Sequence, residues 1–308
     1  MMVLGFDTSN YTTSIAAFDG VRGENKSRLL DVRPGELGLR QSDAVFSHVK
    51  RLPELADALF QSVERSEISA IGVSTRPRAV EGSYMPCFLA GVSAAQTMAA
   101  ALGVPCYAFS HQQGHIAAAL WSADRMDLMD KPHLAWHLSG GTTELLLVEP
   151  EEKNVRATQI GGTTDISAGQ IMDRTGKLLQ LNFPAGKALD LLAKDTASKE
   201  RFKVKTNGLQ FSFSGLENKI GQYHNQGHSA AETASYAIRS VCDAVVRTTQ
   251  DALKQFPGYE VVFSGGVASN SMLRDMCSQF SPVFALPALS TDNAMGIAVL
   301  TWMQGGTL

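Results

Sequence analysis

The chain has 308 residues, a net charge of −3 and 44% hydrophobic residues. That apolar fraction is enough for a large core and excludes a disordered chain, while the length allows one large or two ordinary domains. The near-neutral charge argues against a free-standing nucleic-acid binder, whose affinity rests on neutralising many phosphates, but it allows a local basic face or a basic partner.

The N-terminal MMVLGFDTS carries no basic segment followed by a long apolar run, so no signal peptide is expected. No stretch reaches about 18 uninterrupted apolar residues, so no membrane span is expected and the chain reads as cytoplasmic. Cys87, Cys106, Cys242 and Cys277 form no C-x-x-C pair. They read as buried free thiols of a reducing compartment.

Val3–Phe6 and Thr13–Phe18 read as strands separated by the polar turn Asp7-Thr8-Ser9, a hairpin signal. Gly20–Arg40 is polar and reads as a loop. Val49, Leu52, Leu55 and Leu59 recur at helical spacing and predict a helix over His48–Val63. Ala70–Ser74 is a predicted strand, Phe88–Leu102 a helix and Val104–Phe109 another strand. A second cycle begins at Leu134–Leu138, a strand that ends in Ser139-Gly140-Gly141-Thr142 and continues into Glu144–Val148. Helices are expected over Ala168–Leu179, Lys187–Lys194 and Ala231–Phe256. A strand at Glu260–Ser264 ends in Gly265-Gly266, and helices over Asn270–Phe280 and Asp292–Met303 follow. The basic run Lys199–Lys205 reads as a solvated loop.

An apolar strand thus runs into a small-residue turn at Asp7, at Gly140-Gly141 and at Gly265-Gly266. Such repetition predicts a duplicated α/β architecture of two lobes with a ligand cleft between them, at strand C-terminal ends. Glycines in these turns let the backbone approach an anion and aim N–H groups at it. The helix expected after Gly266 adds a favourable dipole. Together the turns suggest a nucleotide whose phosphates lie against backbone amides.

His111-Gln112-Gln113-Gly114-His115 places two imidazoles one helical turn apart, where both can reach one metal ion. Two histidines need a further ligand. Asp292, in a turn before the last helix, is the candidate, and two His with one carboxylate suit Fe(II) or Zn(II). The same spacing recurs at His133/His137 and His224/His228. The first pair straddles a predicted strand, about 13 Å apart by strand rise, and the second lies in a polar Gly-rich loop.

Taken together, these motifs converge. DTS, H-Q-Q-G-H, L-S-G-G-T-T-E-L, A-G-Q-I-M-D-R-T-G-K-L-L, F-P-A-G-K-A-L-D, F-S-F-S-G-L, S-G-G-V-A-S-N and S-T-D-N cover nearly the whole chain. In this order they resemble the catalytic subunit family of tRNA N6-threonylcarbamoyladenosine synthase, once labelled O-sialoglycoprotein endopeptidase. The resemblance implies a duplicated ribonuclease-H-like, actin-like ATPase (ASKHA) fold. Its lobes would be residues 1–108, completed by a C-terminal helix at about 292–308, and residues 109–291. The implied reaction transfers a threonylcarbamoyl group from its adenylate to N6 of adenosine 37 in ANN-reading tRNAs. Implied metal ligands are His111, His115 and Asp292. Implied adenylate contacts are Ser139, Gly140, Gly141, Asp173, Gly186, Asp190 and Asn270, beside the Gly265-Gly266 turn. Implied partners are tRNA, a smaller paralogous subunit and an ATPase subunit.

The chain departs from the family pattern at several places. The family's acidic pair falls on Tyr11 and Thr12, and Tyr11 is a poor base at neutral pH because a phenol has a pKa near ~10, so no catalytic base is assigned. Arg76-Pro77-Arg78 stands for a G-P-G turn, Thr142 for a His, Gln170 for a Glu, Ala185 for a Gly and Lys187 for a Pro. Two other readings therefore stand beside the transferase. One is a paralogue that moves a carbamoyl-type group to another acceptor, and the other is a non-catalytic partner subunit. No H-E-x-x-H helix or nucleophile–base set supports a peptidase.

Overall fold

The computed structural model describes residues 1–9, 11–31, 40–290 and 292–305. Expectations that fall on Asn10, on residues 32–39, on Thr291 and on residues 306–308 lie outside them. The chain divides into two compact units, Met1–Lys131 with Glu149–Ala157 and Asp292–Leu308, and Pro132–Val148 with Thr158–Thr291. The division after the first segment falls at 131/132 and not at 108/109. The helix bearing His111 and His115 packs within the first unit, so the strand end at Phe109 is no boundary.

The first unit begins with β1 (Met2–Thr8), β2 (Thr12–Phe18) and β3 (Gly23–Leu29). α1 (Gln41–Leu59), β4 (Ile68–Arg76), α2 (Phe88–Leu102), β5 (Cys106–Ser110) and α3 (His111–Ser122) follow. The sheet order is β3-β2-β1-β4-β5. β1 runs antiparallel to β2 and parallel to β4, and β4 runs parallel to β5. Val3, Leu4, Phe6, Ile15, Ile71 and Val73 are buried, as expected of central strands covered on both faces. β3 was expected to be loop. Its sequence GENKSRL lacks the apolar alternation of a covered strand, and it forms at the sheet edge through main-chain pairing with β2 alone. α3 starts at Ser110, whose hydroxyl accepts from the Gln113 N–H while the Gln113 side chain reaches back to the Ser110 N–H, a capping box written as S-x-x-Q.

The second unit repeats the plan. β6 (His133–Leu138), β7 (Thr143–Glu151), β8 (Asn154–Thr163), α4 (Ala168–Leu178) and α5 (Gly186–Leu192) come first. The short β9 (Thr206–Asn207) and β10 (Gln210–Phe211), then α6 (Ser214–Asn225) and α7 (Ala230–Gln255), follow. β11 (Val261–Ser264), α8 (Ser271–Cys277) and β12 (Val283–Phe284) complete it. The order β12-β11-β6-β7-β8-β10-β9 contains, read backwards from β8 to β12, the same five-strand arrangement as the first sheet. Its core is built from Trp136, Leu145, Ile171, Phe213, Ile238, Val245 and Phe263, and the Trp136 indole N–H donates to Thr249 Oγ1 at 2.9 Å. β8 and α6 were not expected. α6 instead depends on Asp165, whose carboxylate accepts from the Ser212 hydroxyl and from the Phe213 N–H at 2.8 Å. These bonds outweigh the burial that opposes ionisation and hold the Asp165 carboxyl down at about 2. The F-S-F-S-G-L motif is thus the N-terminal anchor of α6. Of the cysteines, Cys87, Cys242 and Cys277 are buried, whereas Cys106, at the start of an outer strand, is exposed.

The last helix, α9 (Met295–Gly305), returns to the first unit. It lies so close to α3 that a Cβ on Gly296 would stand 1.8 Å from the Gly114 carbonyl oxygen, and one on Gly5 of β1 would stand 2.5 Å from Ala298 N. Backbone meets backbone at both points. Among the described residues no helix is long and apolar enough to cross a membrane. Gly296→Ala is expected to lower stability by about 1–3 kcal/mol, since no flexible side chain is available to yield. Gly140→Ala, whose added methyl meets nothing within 4 Å, is expected to stay within about 0.5 kcal/mol of the parent. Thermal unfolding of the two variants checks the contrast.

Candidate metal centre and nucleotide site

In the first unit, three side chains converge from two helix starts. His111 and His115 occupy the first two turns of α3, and Asp292 lies just ahead of α9. His111 Nε2 and His115 Nε2 are 3.0 Å apart, and Asp292 Oδ1 is 3.2 Å from His115 Nε2 and 3.5 Å from His111 Nε2. Among the described residues these three form the group able to close on one metal ion. Ligands about 2.1 Å from a shared ion stand about 3.0–3.4 Å apart, so the donor set fits a cation as it is arranged. Two imidazoles and a carboxylate suit Fe(II) or Zn(II). The other two histidine pairs differ. His133 and His137 lie along β6, with His137 Nδ1 3.3 Å from Ser264 Oγ. His224 lies in the last turn of α6 and not in a loop, with Nδ1 3.3 Å from Thr233 Oγ1.

A further layer fixes these ligands, and the spacing of the histidines gave no sign of it. His111 Nδ1 is 3.0 Å from both carboxylate oxygens of Asp7, at the end of β1. Donation of the Nδ1 proton to Asp7 leaves the Nε2 lone pair for an ion. The Ser74 hydroxyl of β4 also donates to Asp7. The Ser9 hydroxyl donates to Asp292 Oδ2 at 2.9 Å, which leaves Oδ1 facing the imidazoles. Ser9 is held in turn by His48, whose Nε2 is 2.8 Å from the Ser9 carbonyl and whose Nδ1 is 2.8 Å from Thr13 Oγ1. Burial keeps the His48 imidazole below its ordinary value, against the pull of the Ser9 carbonyl and Asp7. Thr8 Oγ1 donates to the Cys87 carbonyl and accepts from the Gly91 N–H, both at 3.1 Å. The D-T-S sequence at a strand end is the one local signal that could have exposed this layer.

Electrostatics at the triad favours positive charge. Burial opposes the charged form of His111, but the Asp7 and Asp292 carboxylates outweigh it and push the imidazole up to about 10. Burial likewise raises the Asp292 carboxyl, and the two histidines override it and hold Asp292 well below the usual carboxylate range.

The predicted nucleotide residues all belong to the second unit, where hydrogen bonds tie Gly140, Asp173, Asp190 and Asn270 to neighbouring elements. The Ser167 hydroxyl, at the N-cap of α4, donates to the Gly140 carbonyl at 2.7 Å. Asp173 on α4 accepts from Ala185 N at 2.9 Å, just before Gly186 opens α5, and burial raises its carboxyl above the ordinary value. Asp190 on α5 accepts from Asn270 Nδ2 at 2.9 Å and from Ser271 Oγ at 2.9 Å. Asn270 Oδ1 caps α8 by accepting from Leu273 N. Two expectations change. The Gly141 and Thr142 N–H groups donate to Ser139 Oγ at 3.3 and 3.1 Å, so these amides close the turn. Gly265, at φ +90°, is required by the fold, because a Cβ there would lie 2.2 Å from the Leu138 carbonyl. Gly140, Gly141 and Gly186 instead face open space.

Several of the departures fall at defined local contacts. Gln170 completes the α4 capping box with Ser167, which a Glu would also do. A Cβ on Gly176 would stand 2.1 Å from that of Ala185, so α4 and α5 meet at this small-residue contact. Thr142 Oγ1 is 2.8 Å from Ser139 Oγ within the turn. Tyr11 is half-buried and its carbonyl accepts from Leu30 N at 2.7 Å. The Pro77 carbonyl accepts from Gln112 N at 3.0 Å, which sets the Arg76-Pro77-Arg78 turn against the first turn of α3.

A family model described as tRNA N6-adenosine threonylcarbamoyltransferase matches residues 36–299. A relative of that name from Sulfurihydrogenibium sp. (strain YO3AOP1) is 33% identical over 97% of this chain and 89% of its own length. Component A of the (R)-2-hydroxyglutaryl-CoA dehydratase of Acidaminococcus fermentans is similar over the whole of both chains, at 13% identity with a TM-score of 0.59. T. kodakarensis HypF is similar over 99% of this chain and 47% of its own, at 15% identity with a TM-score of 0.61. The two structures speak for fold alone, and it is the expected actin-like ATPase fold.

Two outcomes are expected for metal binding. Removing the Asp7 carboxylate in Asp7→Asn should weaken binding about 10–100-fold, as read by metal titration. Because His111 holds its proton up to about 10 in the metal-free pocket, metal uptake near neutral pH should release about one proton. Calorimetric titrations in buffers of different ionisation enthalpy measure that release directly.

Proposed function

Because the chain belongs to the tRNA N6-adenosine threonylcarbamoyltransferase family, we propose that it transfers a threonylcarbamoyl group from threonylcarbamoyl-AMP to N6 of adenosine 37 in ANN-reading tRNAs. The observation that carries this reading is the triad His111, His115 and Asp292, oriented by Asp7 and Ser9. These three residues would hold one divalent ion, Fe(II) or Zn(II). When bound, that ion supplies Lewis acidity to polarise a carbonyl or neutralise phosphate charge.

The other roles belong to the chain. Asp7 keeps the His111 proton on Nδ1, and Ser9 keeps Asp292 Oδ1 turned toward the histidines. In the second unit, the open faces at Gly140, Gly141 and Gly186 admit the adenylate, and Asp173 and Asp190 accept hydrogen bonds from ribose hydroxyls. Asn270 steadies Asp190. In the reaction, the adenosine amine bonds to the carbamoyl carbon as the bond from that carbon to the phosphate oxygen breaks. AMP departs with the electron pair, and the proton lost by the amine passes to solvent. At a net charge of −3, part of the grip on tRNA would come from partner subunits, a smaller paralogue and an ATPase, in the cytoplasm.

Tyr11 favours one second reading, transfer to another acceptor, since a phenol replaces the family's acidic group in the β1–β2 turn. The deciding experiment combines purified protein, threonylcarbamoyl-AMP, Fe(II) or Zn(II) and unmodified ANN-reading tRNA, with and without the other subunits. Mass spectrometry of digested nucleosides should find the modified adenosine, with at least a ~100-fold loss in His111→Ala/His115→Ala. Adenylate binding without tRNA modification would replace this function by the second reading.

A further inference from the structure

Within the second unit, a pocket of about 640 Å³ has none of the predicted nucleotide residues in its lining, which includes Lys199, Glu200, Arg201, Lys203, Tyr223, His228 and Tyr236. One wall is the basic run. Lys199, Arg201, Lys203 and Lys205 are exposed, Phe202 packs on the core and Val204 is buried. The run is fixed to α7 rather than loosely solvated. Phe202 N donates to Ser240 Oγ at 2.8 Å, and the Val204 carbonyl accepts from Arg247. Arg201 pairs with Asp243 at 2.8 Å, while Lys199 and Lys203 make no ion pair among the described residues.

The other wall is a ladder of rings. His228 stacks on Tyr223 with centroids 3.6 Å apart and planes within 1°, and Tyr223 stacks on Tyr236 at 4.1 Å and 10°. Burial, and after it the neighbouring Glu200 carboxylate, push the Tyr223 phenol above its ordinary value. Exposed cations beside flat stacked rings are the pattern that holds single-stranded nucleic acid, with phosphates on the cations and bases on the ring faces.

We propose that this pocket is an RNA-binding site that takes an unpaired stretch of RNA, with phosphates on Lys199 and Lys203 and a base stacked on the His228–Tyr223–Tyr236 ladder. The proposal rests on the reading of the chain as a tRNA-directed enzyme and adds to it the face that grips the RNA.

Binding of fluorescein-labelled unmodified tRNA and of a labelled single-stranded oligouridylate to the full chain, followed by anisotropy across a KCl series, tests it. Lys199→Glu/Lys203→Glu should weaken both RNAs tenfold or more and flatten the salt slope by about 1.4, from two lost phosphate contacts. Lys199→Gln/Lys203→Gln, which removes charge without reversing it, should show a smaller loss of the same kind. His228→Ala should cost about fivefold or more with the salt slope unchanged, because stacking releases no counterions. Lys50→Glu, on α1 of the first unit, serves as the charge control. Parent-like affinity in both lysine pairs would overturn the proposal, as would binding of polyglutamate in place of RNA, which would assign the face to an acidic protein. The binding readout contains no adenylate. RNA held at this face without adenosine modification would therefore leave the site standing and overturn only the functional reading.

Discussion

The close crossing of α3 and α9 is the constraint on which the metal centre depends. Asp292 and His115 are 177 positions apart, and no local preference can bring them together. They meet because α9 lies against α3 with Gly296 on the Gly114 carbonyl, and against β1 at Gly5. A Cβ at either contact would stand 1.8 or 2.5 Å from backbone atoms, closer than packed atoms approach, so the two elements would have to move apart. The first unit gives up side-chain packing at these points and gains a fixed distance between two helix starts.

What gathers there is a charge arrangement that lacks balance without a cation. Asp7 is fully buried against His111, and Asp292, partly buried, faces both imidazoles. Each carboxylate also receives a hydroxyl proton, from Ser74 and from Ser9. Such outer hydrogen bonds fix ring orientation and tautomer, and they matter to a metal site nearly as much as its ligands do. The D-T-S turn carries out this task through three residues in succession. Asp7 orients a ligand, Thr8 ties the turn to α2 and Ser9 orients a second ligand.

The second unit solves a different problem with similar means. Its polar residues are tied to one another, through Ser167 to Gly140, Asp173 to Ala185 and Asp190 to Asn270. This holds three helix starts in register around turns whose glycine α-carbons face open space. Two of the substitutions that set this chain apart from the family pattern, Gln170 and Ala185, take part in that scaffold. Each keeps a contact that the local geometry needs, a capping box in one case and a small-residue helix contact in the other.

Sequence alone determined what short-range physics controls. The apolar runs of β1, β2, β4, β6 and β11 and the helical periods of α1, α4 and α7 were legible because burial imposes them residue by residue. The His111–His115 spacing was legible because a helix fixes it, and the repeated strand-to-turn pattern announced a duplicated fold. Tertiary structure decided the rest. β3 exists through edge pairing that needs no apolar signal, and α6 exists through a carboxylate 49 positions before Ser214. The Gly141 and Thr142 amides turn inward because Ser139 Oγ reaches them first. The basic run Lys199–Lys205 becomes a rigid track only where α7 lies beneath it. For α6 and for the basic run the deciding partner is distant in the chain, and a distant partner leaves no mark on local composition or period.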